Sequence, residues 1–409
     1  MKWIVLEMKD SLQYFRNWKG YEIMPKCILP WISIETTPIG GTRPCCLSTE
    51  EIPNINLNKD TLEDAFKSDY MQTMRQEFIN GDRPAQCRNC WLEEDAGKRS
   101  KRQHMLQKFK HIDVDWNDIN GKKLMFLDLK LGNICNLKCR ICGAWSSNKW
   151  AQEEVATWGN NHIAYKWLKD GKWPRQNPQF WENIDKLLPD IKYFEFTGGE
   201  PFLIREHFDL LERAVALDYA KNIDIHYNTN GTQFPKDHIL WQEFKQVQIA
   251  FSIDNIGERF EYERDGANWN EVNLNIGRIT ELRYKGYPIS TQLCVTWNVQ
   301  NILYLSDVLE WASNMEFDDI HFNLMHDPIE FSLTNLPLTA RQKTLDYLEE
   351  CTIKYDRYSK EIYSLMQVIE SGTGSNGDYL RERLRDIDLI RNKNFLHTHK
   401  EMAELIHYD

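Results

Sequence analysis

The sequence predicts an α/β protein. Its central part is a partial barrel of six strand–helix units, with a cysteine-rich region before it and a helical region after it. Three observations favour this class. Strand-like segments alternate with stretches of helical period in the middle of the 409-residue chain. Polar motifs follow these segments directly, where barrel enzymes hold their active sites. Most of the ten cysteines lie before or just after the first of these strands.

The strands of the barrel are predicted from short apolar or β-branched runs bounded by turn residues. Between them lie stretches with apolar residues at helical spacing, such as Phe208–Tyr219 and Asn273–Tyr284. Right-handed crossovers are expected between parallel strands of this kind. The six predicted strands are 124–131, 192–196, 223–227, 247–253, 289–296 and 319–324.

The domain organisation follows from this alternation. The cysteine-rich region is expected to consist of short strands and turns, with one helix near Thr61–Asn80 and a polar connection over 96–120. The predicted units are a helical lead-in over 1–20, a cysteine-rich domain over 21–110, the barrel over 121–330 and a helical extension over 331–409.

Two segments have open interpretations. Residues 144–190 form a long, tryptophan-rich insertion, which could be a lid over the site or an extended first helix packed on the barrel. The helical extension over 331–409 could cap the barrel mouth or carry a surface for a partner.

Composition limits the classes of function. The net charge of −11 argues against general binding to nucleic acid or to an anionic membrane. No apolar run approaches the length of a membrane-spanning helix, so we expect a cytoplasmic protein without membrane contact. In that compartment ten cysteines are better explained by metal than by disulfides. One basic segment, Lys98–Arg102, is either a solvated helix face or a docking patch for an acidic partner.

A cysteine triplet follows the first predicted barrel strand. Cys135, Cys139 and Cys142 are separated by three and then two residues. Three thiolates at this spacing can bind three irons of a cubane [4Fe-4S] cluster and leave the fourth iron open for a ligand. A zinc site or a chance spacing are the alternatives for the triplet taken alone.

The triplet resembles the cluster motif of the radical S-adenosylmethionine (SAM) superfamily, and other landmarks follow in the family's order. Thr197-Gly-Gly-Glu-Pro201 resembles the Gly-Gly-Glu motif, Tyr227-Asn-Thr-Asn-Gly231 the Thr-Asn-Gly turn, and Ser252-Ile-Asp254 with Arg264 the Ser-x-Asp…Arg set. The similarity to the radical SAM core covers about 121–330. It implies a SAM-binding [4Fe-4S] cluster on the triplet.

The resemblance also implies a role for each matched residue. The Gly198-Gly199-Glu200 motif would hold the SAM amino group through backbone carbonyls and the acidic side chain. Arg264 would pair with the methionine carboxylate. The remaining positions implied by the family are Asn230, Ser252 and Asp254 for the ribose side of SAM, and Ile141 for packing on adenine.

The upstream cysteines resemble the ligand set of a twitch, or half-SPASM, domain, which holds an auxiliary Fe–S cluster. The predicted ligands are Cys27, Cys45, Cys87 and Cys90. Such domains usually follow the radical SAM core, whereas here the pattern precedes it. Cys46 is an equally spaced rival to Cys45. A second [4Fe-4S] cluster is the expected occupant, and a structural zinc is the alternative.

The family resemblance implies an oxidoreductase-like enzyme that cleaves SAM reductively to a 5′-deoxyadenosyl radical and takes hydrogen from a substrate. Oxidative modification of a peptide or protein is the favoured outcome, and a small-molecule substrate is the first alternative. A non-catalytic electron-transfer or docking protein is the alternative of another class. The expected electron donor is a flavodoxin or ferredoxin. His326, at the end of the last strand, is the candidate proton donor or acceptor.

Overall fold

A computed structural model describes residues 26–95, 99–171, 173–374 and 377–408. The predicted lead-in over 1–20 and the first residue of the basic segment, Lys98, lie outside the described residues. None of the helices in the described part combines the length and the apolar character that crossing a bilayer requires. The cytoplasmic location stays a prediction.

The described strands form one large sheet and one small ribbon. They are β1 (Ser33–Thr36), β2 (Thr42–Arg43), β3 (Phe126–Leu129), β4 (Lys138–Cys139), β5 (Tyr193–Phe196), β6 (Asp224–Thr229), β7 (Gln246–Ser252), β8 (Arg264–Asp265), β9 (Ile289–Trp297) and β10 (Asp319–Leu324). The order in the large sheet is β10-β9-β7-β6-β5-β3-β1-β2, and β4 pairs with β8.

The helices fall between the strands and at the end of the chain. They are α1 (Leu29–Ile32), α2 (Leu62–Phe66), α3 (Asp69–Asn80), α4 (Arg88–Asp95), α5 (Lys101–Lys108), α6 (Asn148–Trp158), α7 (Ala164–Asp170), α8 (Pro178–Leu187), α9 (Arg205–Ala216), α10 (Gly257–Glu263), α11 (Trp269–Tyr284), α12 (Leu305–Ser313), α13 (Leu338–Lys354), α14 (Ser359–Ser371), α15 (Gly377–Arg391), α16 (Phe395–Thr398) and α17 (Lys400–Leu405).

The predicted α/β class is confirmed. All six predicted strands exist as β3, β5, β6, β7, β9 and β10, and every neighbouring pair among them is parallel. Their outward side chains, such as Leu127, Phe194 and Ile225, join one apolar core with residues of α8, α9 and α11. This burial fixes the strand register, because a slip by one residue would turn the apolar side chains to the opposite face.

The cysteine-rich region contributes strands to the same sheet, which the sequence did not predict. β1 lies parallel to β3, with Ser33 opposite Phe126 and Glu35 opposite Asp128. β2 returns antiparallel to β1 and forms the edge. Because Cys27 precedes β1 and Cys45 follows β2, the sheet itself positions these two cysteines.

The polar connection contains a helix, α5, that lies against the inner face of the sheet. Lys101 at its start is 3.5 Å from Glu195 of β5. The next residue, Arg102, is buried and pairs with Glu94 at 2.6 Å. Both expectations for the basic segment, a solvated face or a docking patch, are therefore wrong for Lys101 and Arg102, because buried carboxylates take up their charges.

Candidate functional site

The loop after β3 carries the cysteine triplet and is fixed by backbone contacts. Cys139 lies in β4, whose pairing with β8 sets it opposite Arg264. The amide of Cys135 donates a hydrogen bond to the side-chain oxygen of Asn148 at the start of α6 (2.9 Å). The amide of Cys142 donates to the carbonyl of Cys139 (3.0 Å). These bonds hold the triplet at the carboxyl end of β3, as predicted for a barrel site.

The structure brings the three thiols together. All three are free cysteines. Burial raises the pKa of the Cys135 thiol, and it raises the pKa of Cys142 to about 12. The nearby Cys139 thiol is the second cause in both cases. Burial also raises the pKa of Cys139, although nearby Arg264 acts in the opposite direction. Thiols in such surroundings keep their protons until a metal displaces them.

The glycine motif packs directly on the cluster loop. Gly198 and Gly199 both have left-handed backbones, with φ of 71° and 60°. A Cβ on Gly199 would lie 2.5 Å from the carbonyl oxygen of Ile134, which also accepts a hydrogen bond from the Glu200 amide (2.8 Å). Only glycine combines this backbone conformation with so close an approach.

We therefore expect Gly199→Ala to displace the cluster loop and to abolish SAM cleavage. The matched control is Gly277→Ala in α11, where an added Cβ meets nothing within 4 Å. Alanine inside a helix should stabilise that position by about 0.5–1 kcal/mol. Both variants are to be compared by thermal unfolding and by 5′-deoxyadenosine formation. Full activity of the Gly199 variant would contradict the tight packing.

Glu200 links two loops of the site through its carboxylate. It is fully buried and accepts hydrogen bonds from the Thr229 hydroxyl (2.7 Å) and from the amides of Asn230 (2.7 Å) and Phe202 (3.2 Å). Burial raises the pKa of Glu200 to about 7, although these hydrogen bonds act in the opposite direction. The carboxylate thus fixes the turn after β6 to the turn after β5, and its contact with the SAM amino group stays a prediction.

Asn230 joins the turn after β6 to the cluster loop. Its side-chain amide donates to Asn136 (3.1 Å) and lies 3.9 Å from the Cys135 sulfur. Thr232 bonds to both asparagines. Asn136 and Thr232 were missed in the sequence, because single polar residues next to the motifs give no periodic or spacing signal.

Asp254 and Arg264 form a buried ion pair beside the triplet. Their charged groups are 2.5 Å apart, and the other oxygen of Asp254 accepts from the Thr296 amide (2.8 Å). The Arg264 guanidinium also lies 3.6 Å from the Cys139 sulfur. Its Nε is buried and has no hydrogen-bond partner among the described residues. A buried donor without an acceptor is costly, so this geometry favours an anionic ligand at that point.

Two further predicted cofactor contacts lie near this pair. Ser252 ends β7, is half-buried and stands opposite Cys294 of β9. Ile141 is half-buried and packs against the edge of the main core, one residue before Cys142. Their roles toward ribose and adenine stay predictions.

The four upstream cysteines surround one small cavity. Cys27, Cys45, Cys87 and Cys90 line it, together with apolar side chains that include Phe78. Burial raises the pKa of Cys87, and the other three thiols add to this effect. The four cysteines come from three separate segments of the chain, since Cys87 and Cys90 are only three residues apart, so the fold creates the group.

Cys46 points elsewhere, although it neighbours Cys45 in the chain. Its sulfur accepts a hydrogen bond from the Lys101 ammonium (2.8 Å). Burial raises the pKa of the Cys46 thiol, whereas nearby Lys101 acts in the opposite direction. Asp128 and Glu195, on the inner face of the sheet, also raise this pKa. Cys46 does not line the cavity of the other four cysteines. The geometry therefore favours Cys45 over Cys46 in a four-thiol set.

His326 lies at the rim of the barrel mouth. Its side chain is 58% exposed, and its Nε2 is 3.7 Å from Glu93 of α4. Its neighbour Met325 is buried, whereas Asn323 is exposed on the end of β10. The structure therefore brings His326 beside the cysteine-rich region, and a proton-transfer role for it stays a prediction.

The helical extension braces the cluster loop from outside. Arg140, fully buried between Cys139 and Cys142, pairs with Asp388 of α15 at 2.5 Å. Arg391 donates to the Lys138 carbonyl (2.6 Å). This part of the extension therefore supports the cluster loop. The two roles expected for the extension, a cap on the barrel mouth or a surface for a partner, did not include this contact.

The donor sets fit the implied cofactors. Three free thiols beside an arginine with an unpartnered Nε fit a cluster that has one iron without a protein ligand and binds an anionic ligand there. Four thiols around a cavity fit a cluster in which every iron has a cysteine ligand. Among the described residues, no three or more His, Cys, Asp or Glu side chains are placed to hold a single metal ion. In a cluster each thiolate binds a different iron, so convergence on one point is not required.

Comparison with known proteins gave two family matches. The profile of the radical SAM superfamily matches residues 129–312. The profile of an iron–sulfur cluster-binding domain, SPASM, matches residues 27–91.

Among curated relatives, the GTP 3′,8-cyclase of Actinobacillus succinogenes is 23% identical over 185 residues, which cover 43% of this chain and 47% of the relative. The GTP 3′,8-cyclase of Vibrio vulnificus is 23% identical over 245 residues, covering 57% of this chain and 60% of the relative. The chain thus spans about half the length of the curated relatives that it matches.

Solved structures show weaker likenesses. The AdoMet-bound enzyme anSMEcpe is 19% identical with a TM-score of 0.38, covering 57% of this chain and 62% of that chain. Streptococcus suis SuiB, bound to the precursor peptide SuiA, is 13% identical with a TM-score of 0.35, covering 75% of this chain and 65% of that chain. Likenesses of this size do not establish a shared fold.

The family matches confirm the predicted superfamily, the iron–sulfur module near the N-terminus, the enzyme class and the cofactors SAM, [4Fe-4S] and an auxiliary Fe–S cluster. The domain boundaries and the individual site residues stay predictions. The chain therefore contains a radical SAM domain, preceded by an iron–sulfur cluster-binding domain of the SPASM type.

Proposed function

We propose that this chain cleaves SAM reductively and uses the product radical to remove a hydrogen atom from a substrate. The observation that carries the proposal is the position of Arg264. Its guanidinium lies 3.6 Å from the Cys139 sulfur, and its buried Nε lacks a partner among the described residues. An electron carrier has no use for a buried anion-binding group beside its cluster.

The residues of the site would divide the work. Cys135, Cys139 and Cys142 would hold three irons of the cluster, and the open iron would accept SAM. When bound, the reduced cluster and SAM supply the 5′-deoxyadenosyl radical. Arg264 would orient the SAM carboxylate, while Asp254 holds the guanidinium in place. The remaining SAM contacts are assigned to the carbonyls and side chains of Ile141, Gly198, Gly199, Glu200, Asn230 and Ser252.

Cys27, Cys45, Cys87 and Cys90 would hold the auxiliary cluster, which would accept an electron from the substrate radical.

Cys45→Ser should remove about four irons per chain, since one cubane is lost. Cys46→Ser is the matched control and should keep all the iron, because Cys46 does not line the cavity and its sulfur accepts a hydrogen bond from Lys101. Iron analysis and the electron paramagnetic resonance spectrum of the reduced protein measure both outcomes. Loss of iron only in the Cys46 variant would reverse the assignment.

A small-molecule substrate is favoured. The curated relatives are named as GTP cyclases. Within the described residues, α5 covers part of the inner face of the sheet, where Lys101 meets Glu195 and Lys108 meets Tyr193. This cover reduces the room for a peptide inside the barrel. His326 at the rim is the candidate for proton transfer to such a substrate.

Oxidative modification of a peptide is the second candidate, and one observation favours it. The insertion after the cluster loop exposes large apolar side chains, with Trp158 67%, Ile163 63% and Tyr165 44% exposed. Aromatic side chains such as Trp and Tyr are enriched in protein interfaces. A peptide held on the insertion could reach the site from outside.

The decisive experiment is anaerobic reconstitution with iron, sulfide, SAM and dithionite, followed by measurement of 5′-deoxyadenosine. Its absence with an intact cluster would overturn the enzyme in favour of an electron carrier. Cell extract is then separated into a small-molecule fraction and a peptide fraction. Only the fraction that contains the substrate should accelerate 5′-deoxyadenosine formation, which identifies the substrate class. GTP is the first single compound to test. Replacing dithionite with a reduced flavodoxin or ferredoxin tests the proposed electron donor.

A further inference from the structure

The inner face of the sheet carries a free cysteine, Cys294, that the proposed reaction does not use. The residues of β9 alternate: those that point outward, such as Leu293 and Val295, are buried in the main core, and those between them are half-buried. Cys294 belongs to the half-buried set and lies outside that core, whereas the thiol of Cys351 is part of it. The side chain of Cys294 therefore faces the interior of the barrel.

Strand pairing places Cys294 beside the predicted SAM contacts. It stands opposite Ser252 of β7. Neighbouring strands lie about 4.8 Å apart, and directly opposite residues of a parallel pair share one face of the sheet. Two positions farther along β9, the Thr296 amide donates to Asp254, which pairs with Arg264. Cys294 is thus the inner-face residue of β9 that directly precedes the level of this ion pair.

A second, independent observation indicates that a ligand occupies the space beside this sulfur. The Nε of Arg264 is buried and has no acceptor within the described residues. A buried donor of this kind is costly unless a ligand supplies the acceptor. Arg264 and Asp254 both act electrostatically on the Cys294 thiol, so the three groups lie close together. An anionic ligand bound by Arg264 would therefore lie next to Cys294.

The surroundings keep this thiol protonated. Burial raises the pKa of Cys294 to about 12, and Asp254 acts in the same direction, whereas Arg264 opposes both. An S–H bond is weaker than the C–H bond of a methyl group, so a primary carbon radical takes a hydrogen atom from a thiol with a gain in bond energy. The hydroxyls of Ser252 and Thr296 on the same face hold their hydrogen atoms too strongly for this reaction.

We propose that Cys294 is a hydrogen-atom donor that quenches the 5′-deoxyadenosyl radical when the radical forms without a substrate beside it. This inference rests on the proposed function. The radical would take the hydrogen atom of the thiol, which gives 5′-deoxyadenosine and a thiyl radical on Cys294. One electron from the reductant that serves the cluster and one proton from solvent would restore the thiol. Each quenched turnover would consume one SAM, two electrons and one proton, and the protein would end unchanged.

The test uses the full-length protein with both clusters, SAM and dithionite in thiol-free deuterium oxide, without a substrate. A thiol exchanges its hydrogen rapidly with solvent, whereas carbon-bound hydrogens of the protein do not. Most of the 5′-deoxyadenosine should therefore carry one deuterium, which mass spectrometry measures. Unlabelled 5′-deoxyadenosine would overturn the inference alone. Absence of 5′-deoxyadenosine would overturn the proposed function and this inference with it, so the two failures are distinguishable.

Two variants assign the source of the deuterium. Cys294→Ser keeps the size of the side chain but offers only an O–H bond, so the label should be lost from the 5′-deoxyadenosine that forms. Cys351→Ala, in the main core, is the matched control and should keep the label. Because the labelled fraction is compared, a change in yield does not affect the result. A label that persists in the serine variant would overturn the role of Cys294.

A readout without turnover tests the position of the thiol. In the holoenzyme without reductant, the cluster cysteines are bound to iron, while Cys294 is half-buried and Cys351 is 3% exposed. N-ethylmaleimide, followed by peptide mass mapping, should therefore label Cys294 and spare Cys351. Saturating SAM should slow the labelling of Cys294. Labelling that SAM does not change, or no labelling of Cys294 in its absence, would overturn the placement of this thiol in the SAM site.

Discussion

Cys139→Ala is expected to abolish 5′-deoxyadenosine formation and to lower the iron content by about four atoms per chain, the size of one cubane. The fold supplies three thiolates for this cluster, and the two that remain after the substitution are too few to hold it. The substitution also removes the Cys139 sulfur, which lies 3.6 Å from the Arg264 guanidinium. The contact between this cluster ligand and the anion-binding arginine is therefore lost as well.

The matched control is Cys351→Ala in α13. Cys351 is also a buried free cysteine, but it lies in the helical extension and packs in the main core. Its replacement should cost about 1 kcal/mol of stability and leave iron content and SAM cleavage intact. Iron analysis, visible absorption and product chromatography on anaerobic samples measure all three properties. Retained SAM cleavage in the Cys139 variant would remove the triplet from the proposed mechanism.

The barrel could be predicted because its signals are local. Each of the six strands is a short run of apolar, β-branched or alternating residues bounded by turns, and the observed bounds differ from the predicted ones by a few residues at most. The triplet and the Gly198-Gly199-Glu200 motif were recognisable for the same reason, since spacing within a few residues defines them. The structure then placed these motifs around one end of the sheet.

What could not be predicted depends on contacts between distant parts of the chain. β1 is only four residues long, and its place beside β3 is decided by pairing across about ninety residues. The polar sequence of α5 gives no sign that Lys101 will be buried against Glu195. Cys45 and Cys46 are neighbours with equal spacing, so only the direction of each side chain separates them.

The support of the cluster loop by the helical extension is a long-range example, because Arg140 and Asp388 are separated by 248 positions and Lys138 and Arg391 by 253. Asp388 accepts hydrogen bonds from Arg140 (2.5 Å), from the hydroxyls of Tyr262 (2.8 Å) and Tyr408 (2.6 Å), and from the amide of Phe395 (2.7 Å). One carboxylate therefore joins the cluster loop, α10 and the end of the chain.

Asp388→Ala is expected to destabilise the protein by about 3–5 kcal/mol, because it leaves the buried Arg140 guanidinium without its counter-charge and the Nη2 group and three other donors without an acceptor. Arg140 lies between Cys139 and Cys142, so the loop should loosen with the loss of its partner. SAM cleavage should fall with it, and the cluster should be lost faster in air. Thermal unfolding, the decay of cluster absorbance and product formation measure these effects. The matched control is Asp386→Ala on the exposed side of α15, expected within about 0.5 kcal/mol of the parent.

A double-mutant cycle then decides whether Asp388 acts through Arg140 or only as a general support of the extension. If the pair is the link, Arg140→Met and Asp388→Ala together should cost less than the sum of the single changes, by about 1–3 kcal/mol. Because Tyr262, Tyr408 and Phe395 still lose their acceptor, the double variant should regain stability only in part. Fully additive effects on both stability and cluster lifetime would show that the extension stabilises the fold without holding the cluster loop.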